Sequence, residues 1–428
     1  MIPNLFYPVE VSMFLRAFSA GMAIVFILFL MSSVSTADEY HYNNMLIGDR
    51  ATGMGGAYTG VSDDPSGLYY NPAGIVYTTG RNLSASVNAY YNTSKEYKNV
   101  IGGNGWERKA TAVLPNFFGI VQPLGKYKFG FSYAVPDSIK EDQDQTFWGS
   151  FPTTLGSPAT RYTINFNNED NTYLIGPSIA GELANSLSAG LTLYLYHRSS
   201  QSILNQLIVL QDGRFEWTNQ YIEKVERGYK PVLGFMWTPA EKLSIGLSLA
   251  KIIVYSASVM SQSILKDANA ATPNDFTIVD TGSSMRKKYP YELRVGAGYF
   301  PSSSLLMSAD GAYYTKVTDP VNGDRVSVLN LAVGTEYYLN RSWAVRGGLY
   351  SDMANTPKLD PTRTNQDEKI DLYGMSLGIS NFSRNTSITL GGSLTMGSGK
   401  AQILSGSTEI QNVDQAGWMI FLSSSYAY

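Results

Sequence analysis

The 428-residue chain has no cysteine and two histidines, His41 and His197. Without cysteine there is no disulfide framework, no thiolate metal ligand and no thiol nucleophile. Two histidines leave almost no material for a His-rich metal site or a Ser-His-Asp triad. Charge is scarce too: 16% of residues are charged, the net charge is −3, and no long basic run occurs, which argues against a nucleic-acid partner. Gly53-Met54-Gly55-Gly56 lacks the preceding strand and third glycine of a dinucleotide loop, and no Gly-Lys-Ser/Thr ending follows. The sequence therefore points to no enzyme, no cofactor and no metal site.

What is abundant is tyrosine (30), glycine (40) and aromatic residues in general (13%). Aromatic side chains pack well on a pleated surface and glycine breaks helices, so strands and turns are favoured. The first segment is different. "MFLRAFSAGMAIVFILFLMSSVSTA" (13–37) runs from Arg16 through an apolar core to Ser35-Thr36-Ala37, the layout of a cleaved secretory signal. A transmembrane helix over 17–34 would be near the lower length limit, and the small-residue site favours a signal peptide over 1–37. Residues 1–12 hold no Lys or Arg, so Met13 is an alternative start.

After residue 80 the sequence alternates with period two, as strands with two different faces do. "LSAGLTLYLYHR" (187–198) sets Leu187, Ala189, Leu191, Leu193 and Leu195 against Ser188, Gly190, Thr192, Tyr194 and Tyr196. The pattern predicts fourteen strands, about 82–92, 111–122, 127–136, 171–182, 187–201, 228–238, 243–255, 289–300, 304–316, 326–338, 342–352, 370–381, 386–397 and 415–428. Connections alternate in length: 123–126, 183–186, 239–242, 301–303, 339–341 and 382–385 are short, while 93–110, 137–170, 202–227, 256–288, 317–325, 353–369 and 398–414 are longer. In 202–227 an Asp-Gly turn between strand-like flanks extends its hairpin.

That asymmetry, strands of about 9–13 residues and an even count suit an all-β fold, a closed transmembrane antiparallel barrel with both termini on one side. The chain ends on an aromatic, Tyr428, and Tyr127, Trp237, Tyr299 and Trp343 lie where an interfacial girdle would be. Such a barrel, over 81–428, is too wide to be filled by its own side chains. The preceding residues, 38–80, enter from the short-turn end. They hold "GGAYTGVSDDPSGLYYNPAGI" (55–75), dense in turn residues, and form a candidate plug.

"GMGGAYTGVSDDPSGLYYNPAGI" resembles the hatch signature of the FadL/TodX family of outer-membrane transporters for long-chain fatty acids and other hydrophobic compounds, with Asn71-Pro72-Ala73 as its Asn-Pro-Ala motif. Hairpins such as "LPNFFGIVQPLGKYKFGFSYAVP" (114–136) and "YPYELRVGAGYFPSSSLLMSADGAYYTK" (289–316) carry the resemblance along the chain. It implies a monomeric barrel in the Gram-negative outer membrane, among lipid and lipopolysaccharide. A fatty acid, hydrocarbon or similar lipophile would pass by diffusion to a lumen pocket and leave sideways at a kinked third strand. Here that strand is about 127–136, and Pro136 lacks the N–H needed for pairing. Two other readings are a FadL-like barrel used as a surface scaffold or secretion-system component, and a general porin, against which the hatch argues.

Three lumen arginines are candidate ligand contacts: Arg198, Arg294 and Arg346. Taking 301–303 as a turn puts Arg294 opposite Asp310, and 339–341 puts Glu336 diagonal to Arg346. Either could be a structural ion pair or a grip on a ligand carboxylate. Arg198 is the less paired of the three by this reading. The acidic run "KEDQDQ" (140–145) reads as a solvated loop, with a divalent or lipopolysaccharide-bridging cation as the alternative.

Overall fold

The structure is a computed structural model and describes residues 40–153, 155–269, 274–277, 286–403 and 407–427. The expected signal peptide (1–37) and the terminal Tyr428 lie outside the described residues. The described chain forms strands β1 (Asn82–Ile101), β2 (Asn104–Leu124), β3 (Tyr127–Phe151), β4 (Ala159–Ala184), β5 (Leu187–Leu210), β6 (Phe215–Ala240), β7 (Leu243–Lys251), β8 (Ile253–Lys266) and β9 (Asn274–Thr277). They continue with β10 (Tyr291–Ser302), β11 (Leu305–Tyr314), β12 (Val328–Asn340), β13 (Trp343–Asp352), β14 (Lys369–Phe382), β15 (Thr386–Ala401) and β16 (Gln411–Ala427). Neighbours pair antiparallel, β7 and β8 are two parts of one stave, and β1 pairs with both β2 and β16. Fourteen staves therefore close into a barrel, in the number and order the alternation predicts.

The two faces separate as the sequence implies. Leu191, Leu193 and Leu195 are exposed, while Thr192, Tyr194 and Tyr196, which alternate with them, are buried. Tyr127, Trp237, Tyr299 and Trp343 are each more than 40% exposed at the short-turn end of the wall, where a girdle belongs. No helix among the described residues is long and apolar enough to cross a membrane; the strands form the wall.

Three connections expected as long loops are instead mostly strand, and a fourth, 256–288, is strand over 256–266 and 274–277. The stretch 93–110 is a continuous hairpin that turns at Gly102 and Gly103, both with positive φ (57° and 80°), as a tight two-residue hairpin turn requires. Within 137–170 strand β3 extends to Phe151 and β4 begins at Ala159, and 202–227 turns at Asp212-Gly213 as expected. The acidic run 140–145 is thus part of β3, with Glu141 buried and Asp142 exposed, which corrects the loop reading. The physical reason is shared. Beyond the lipid a strand needs no apolar outer face, so Glu96, Lys98, Glu107 and Lys109 alternate outward against Lys95, Tyr97, Trp106 and Arg108 inward, and hydropathy alone does not register them.

Residues 40–80 lie inside this ring. Helix α1 (Asp49–Gly53), helix α2 (Gly67–Tyr70) and a 3-10 turn (Pro72–Tyr77) are short and buried. The segment is hydrogen-bonded to β2, β5, β6, β11, β12, β14 and β15, on every side of the barrel.

Candidate functional site

Asn71 is the hub of the inner segment. Its Nδ2 donates to the carbonyls of Thr59 and of Phe235 on β6, both at 2.9 Å, while its Oδ1 accepts from the Ala73 backbone and caps the 3-10 turn. Pro72 follows at the first position of that turn, where its missing N–H costs nothing. The wall yields space: a Cβ on Gly190 would lie 2.5 Å from the Pro72 backbone, one on Gly234 2.2 Å from Asn71 Oδ1, and one on Gly246 1.9 Å from the Thr59 carbonyl. Ser188 donates its hydroxyl to the Ala73 carbonyl. Asn71, Pro72 and Ala73 thus key the segment into three glycines of β5, β6 and β7.

Charge holds the opposite side. Arg50 donates to Glu336 of β12 through Nε (2.9 Å) and Nη2 (2.6 Å), and Arg346 of β13 donates to the same carboxylate through Nε at 2.7 Å. Arg346 also reaches Ser380, and Thr389 donates to Asp49. Arg50 pairs with Asp63 as well. Asp310 accepts the Tyr58 and Thr59 backbone N–H groups. Asp64, within the segment, has its pKa pushed up to about 6 by burial, with the nearby Asp49 charge adding to the shift.

These contacts correct the expected roles and registers. Glu336 is directly opposite Arg346, not diagonal to it. Arg294 is opposite Ala312, and Gly296 is opposite Asp310. The β10–β11 turn closes at 303–304, so the partners shift by two residues. Arg294 instead pairs with Glu292 on its own strand and donates to Tyr314 and Asn43. Arg198 is not weakly paired: it holds Asp170 through Nε (3.0 Å) and Nη2 (2.6 Å). Arg346 and Arg294 face the inner segment, whereas Arg198 lines the two larger lumen cavities.

The outer cavity, about 350 Å³, sits between the extended hairpins and is lined by Trp106, Tyr162, Phe166 and Leu204 among others. The inner one, about 120 Å³, is lined by Tyr42, Tyr69, Leu174, Tyr196 and Tyr289, and it reaches Pro136 and Asp137 on β3. Arg198, Lys287 and Arg325 border both cavities. At Pro136 the wall is interrupted. The β2–β3 ladder runs from Leu124↔Tyr127 to Phe117↔Ala134 and resumes only at Ala110↔Glu141. The β3–β4 register also slips between Ala134 and Asp137. Pro115 and Pro136 flank the break, and neither offers an N–H to the ladder. From inside, Asn44 Nδ2 donates to Asp137 Oδ1 at 3.1 Å.

A closed barrel holding its own N-terminal segment, with a lumen leading to a broken ladder, has a match among known families. The family model described as outer membrane protein transport protein (OMPP1/FadL/TodX) matches residues 32–258, more than half of the chain. The chain belongs to the FadL/TodX family.

Its fold agrees with solved members. A FadL homologue from Pseudomonas aeruginosa is 15% identical, with 90% of this chain and 99% of that one covered at a TM-score of 0.60. The toluene transporter TbuX of Ralstonia pickettii is 16% identical, covering 90% and 100%, at 0.57. The toluene transporter TodX of P. putida is 13% identical, covering 90% and 99%, at 0.61. Sequence comparison with curated proteins gives no match. As a FadL/TodX barrel the chain resides in the Gram-negative outer membrane.

Sequence reasoning missed Trp106, Arg108, Tyr162 and Phe166, because it took their strands as loops. The alternation of 106, 108 and 110 against 107 and 109 was the available signal. Asn44 and Asp137 carried no signal of their own.

Proposed function

We propose that the chain is a passive channel for hydrophobic molecules, with residues 40–80 as its hatch and release into the bilayer through the break between β2 and β3. The observation that carries this reading is continuity: the inner cavity borders Pro136 and Asp137, the residues at which the wall stops pairing. A route straight down is obstructed by the segment keyed at Asn71 and latched at Glu336, so a lipophile in the lumen has its shortest exit sideways. Relatives described as transporters of toluene and as a monoaromatic hydrocarbon channel support the substrate class. Arg346 and Arg294 act in this reading as anchors of the hatch, and Arg198 as part of the cavity wall.

The test is uptake by cells. A strain producing the protein should take up radiolabelled toluene or oleate faster than the same strain carrying an empty vector, without dependence on the proton-motive force. Equal rates for both lipophiles would overturn the channel reading.

A further inference from the structure

Beyond the apolar band, several outward lysines of the wall sit beside carboxylates. Lys98 pairs with Asp414, Lys109 with Glu107 and Lys369 with Asp371, while Lys140 lies directly opposite Glu169. The sector from β6 through β7 and β8 to β10 and β11 differs. Arg227, Lys251, Lys288 and Lys316 there form no ion pair with a carboxylate among the described residues.

Their level on the wall is fixed by their neighbours. On the outward face Leu247 and Leu249 lead up to Lys251, and Val295 and Leu293 lead up to Tyr291. Lys251 and Tyr291 are ladder partners and close the apolar band together, with Lys251 Nζ 3.9 Å from the Tyr291 ring centroid. Thr315 exchanges hydrogen bonds with Tyr291, which puts exposed Lys316 next to it. Lys288 Nζ donates to the Thr318 carbonyl at 3.2 Å. On the other flank Tyr229 stacks on Tyr255, and exposed Arg227 lies opposite Ser256. The carboxylates of this sector are engaged elsewhere. Glu292 turns inward to Arg294 and Lys230, buried Asp319 accepts backbone N–H groups, Asp324 accepts the Asp319 N–H, and Glu223 accepts the Tyr221 hydroxyl.

Four cations and a set of tyrosines therefore stand where the wall leaves the hydrocarbon, the level of lipid headgroups. Long connections of outer-membrane barrels face the cell exterior, so the leaflet concerned is the outer one. Basic side chains at this level attract anionic headgroups. We infer that this sector docks the phosphorylated glycolipid of the outer leaflet, lipopolysaccharide. Arg227, Lys251, Lys288 and Lys316 engage the two phosphates of its lipid A, and Leu247, Leu249, Leu293 and Val295 seat its acyl chains. The inference depends on residence in the outer membrane and is independent of what the barrel transports.

The experiment is native mass spectrometry of the full, delipidated protein titrated with bisphosphorylated lipid A, monophosphoryl lipid A or phosphatidylglycerol. The wild type should bind lipid A about fivefold more tightly than its monophosphoryl form, the gain from one further phosphate meeting a further cation, and more tightly still than phosphatidylglycerol. Lys251 and Lys288 also border the inner cavity, so the decisive variant is Arg227→Gln with Lys316→Gln, which leaves that cavity untouched. It should weaken lipid A on the order of twentyfold, about fivefold per cation. The charge-matched control, Lys98→Gln with Lys109→Gln, should bind as the wild type does. Heat-modifiable gel migration checks folding of both. Phosphatidylglycerol binding as tightly as lipid A would overturn the assignment to the glycolipid, and that comparison needs no variant. Equal losses in the two double variants, or none in the first, would overturn the site.

Discussion

Glu336 is where the docking of residues 40–80 is most exposed to a single change. Its carboxylate is fully buried and accepts from Arg50 on the inner segment and from Arg346 on the wall. Glu336→Gln keeps the shape and removes the charge, leaving two guanidinium groups facing each other. Breaking a buried pair from one side costs about 3–5 kcal/mol, because the remaining charge is uncompensated. Arg50 keeps Asp63, and Arg346 keeps Ser380, so the lower end applies. At about 1.4 kcal/mol per tenfold, 3 kcal/mol shifts the docked-to-undocked ratio on the order of a hundredfold. The barrel loses only the Glu336–Arg346 pair between β12 and β13 and keeps its closure, which rests on backbone ladders. In planar bilayers the variant should therefore show frequent openings of large conductance while its heat-modifiable migration stays that of the wild type. Replacing Arg50, Glu336 and Arg346 together by Met, Leu and Met removes the charges along with their desolvation cost, and should restore a quiet, closed channel. A Glu336→Gln channel as quiet as the wild type would refute the assignment of Glu336 as the latch. A noisy triple variant would refute the electrostatic explanation.

Other consequences can be checked with the same recordings or with uptake. Asn71→Ala removes bonds to the Thr59 and Phe235 carbonyls and should weaken docking by roughly 1–3 kcal/mol, read as increased protease cleavage within 40–80. Gly246→Ala, whose Cβ would fall 1.9 Å from the Thr59 carbonyl, should loosen the inner segment more than Gly347→Ala, which meets atoms only at 3.5 Å and beyond. Asp64 titrates near 6 in the docked segment, above the ordinary carboxylate value of about 4. Its proton is held more tightly when docked, so its contribution is fullest below about pH 4 and is lost as pH rises through about 6. Openings should become more frequent between pH 5 and pH 7.5, and Asp64→Asn should flatten that trend. Replacing Pro115 and Pro136 by alanine restores two N–H donors beside the break; slower uptake is expected, and an unchanged rate would separate the prolines from the opening.

The wall was legible because lipid imposes a rule on it. Every outward side chain within the hydrocarbon must be apolar, so Leu191, Leu193 and Leu195 advertise their strand. Above the lipid that rule lapses. The hairpins holding Trp106, Arg108, Tyr162 and Phe166 have polar residues on both faces and read as loops, which hid the outer cavity. The turn chemistry at Asp212-Gly213 was strong enough to show through, whereas Gly102-Gly103 was overlooked. Asn71-Pro72 was visible as turn chemistry, but its partners, Gly190, Gly234 and Gly246, become meaningful only when three strands are placed side by side. The arginines taught a narrower lesson. A turn moved by a residue shifts every cross-strand pair, so Arg294 could be assigned to the lumen from pattern but not to Glu292 and Tyr314. Charge pairing between distant elements, as in Arg50 with Glu336, has no local signature at all.

The absence of native cysteine makes the central claim directly testable. Val113→Cys and Lys140→Cys place one outward thiol on each side of the β2–β3 break, where a short bifunctional thiol reagent can bridge them in intact cells. Uptake of radiolabelled toluene should fall to the empty-vector rate once the bridge forms, stay normal in either single variant treated alike, and return when a reducible bridge is cleaved. Full uptake through a bridged wall would contradict lateral release at this break.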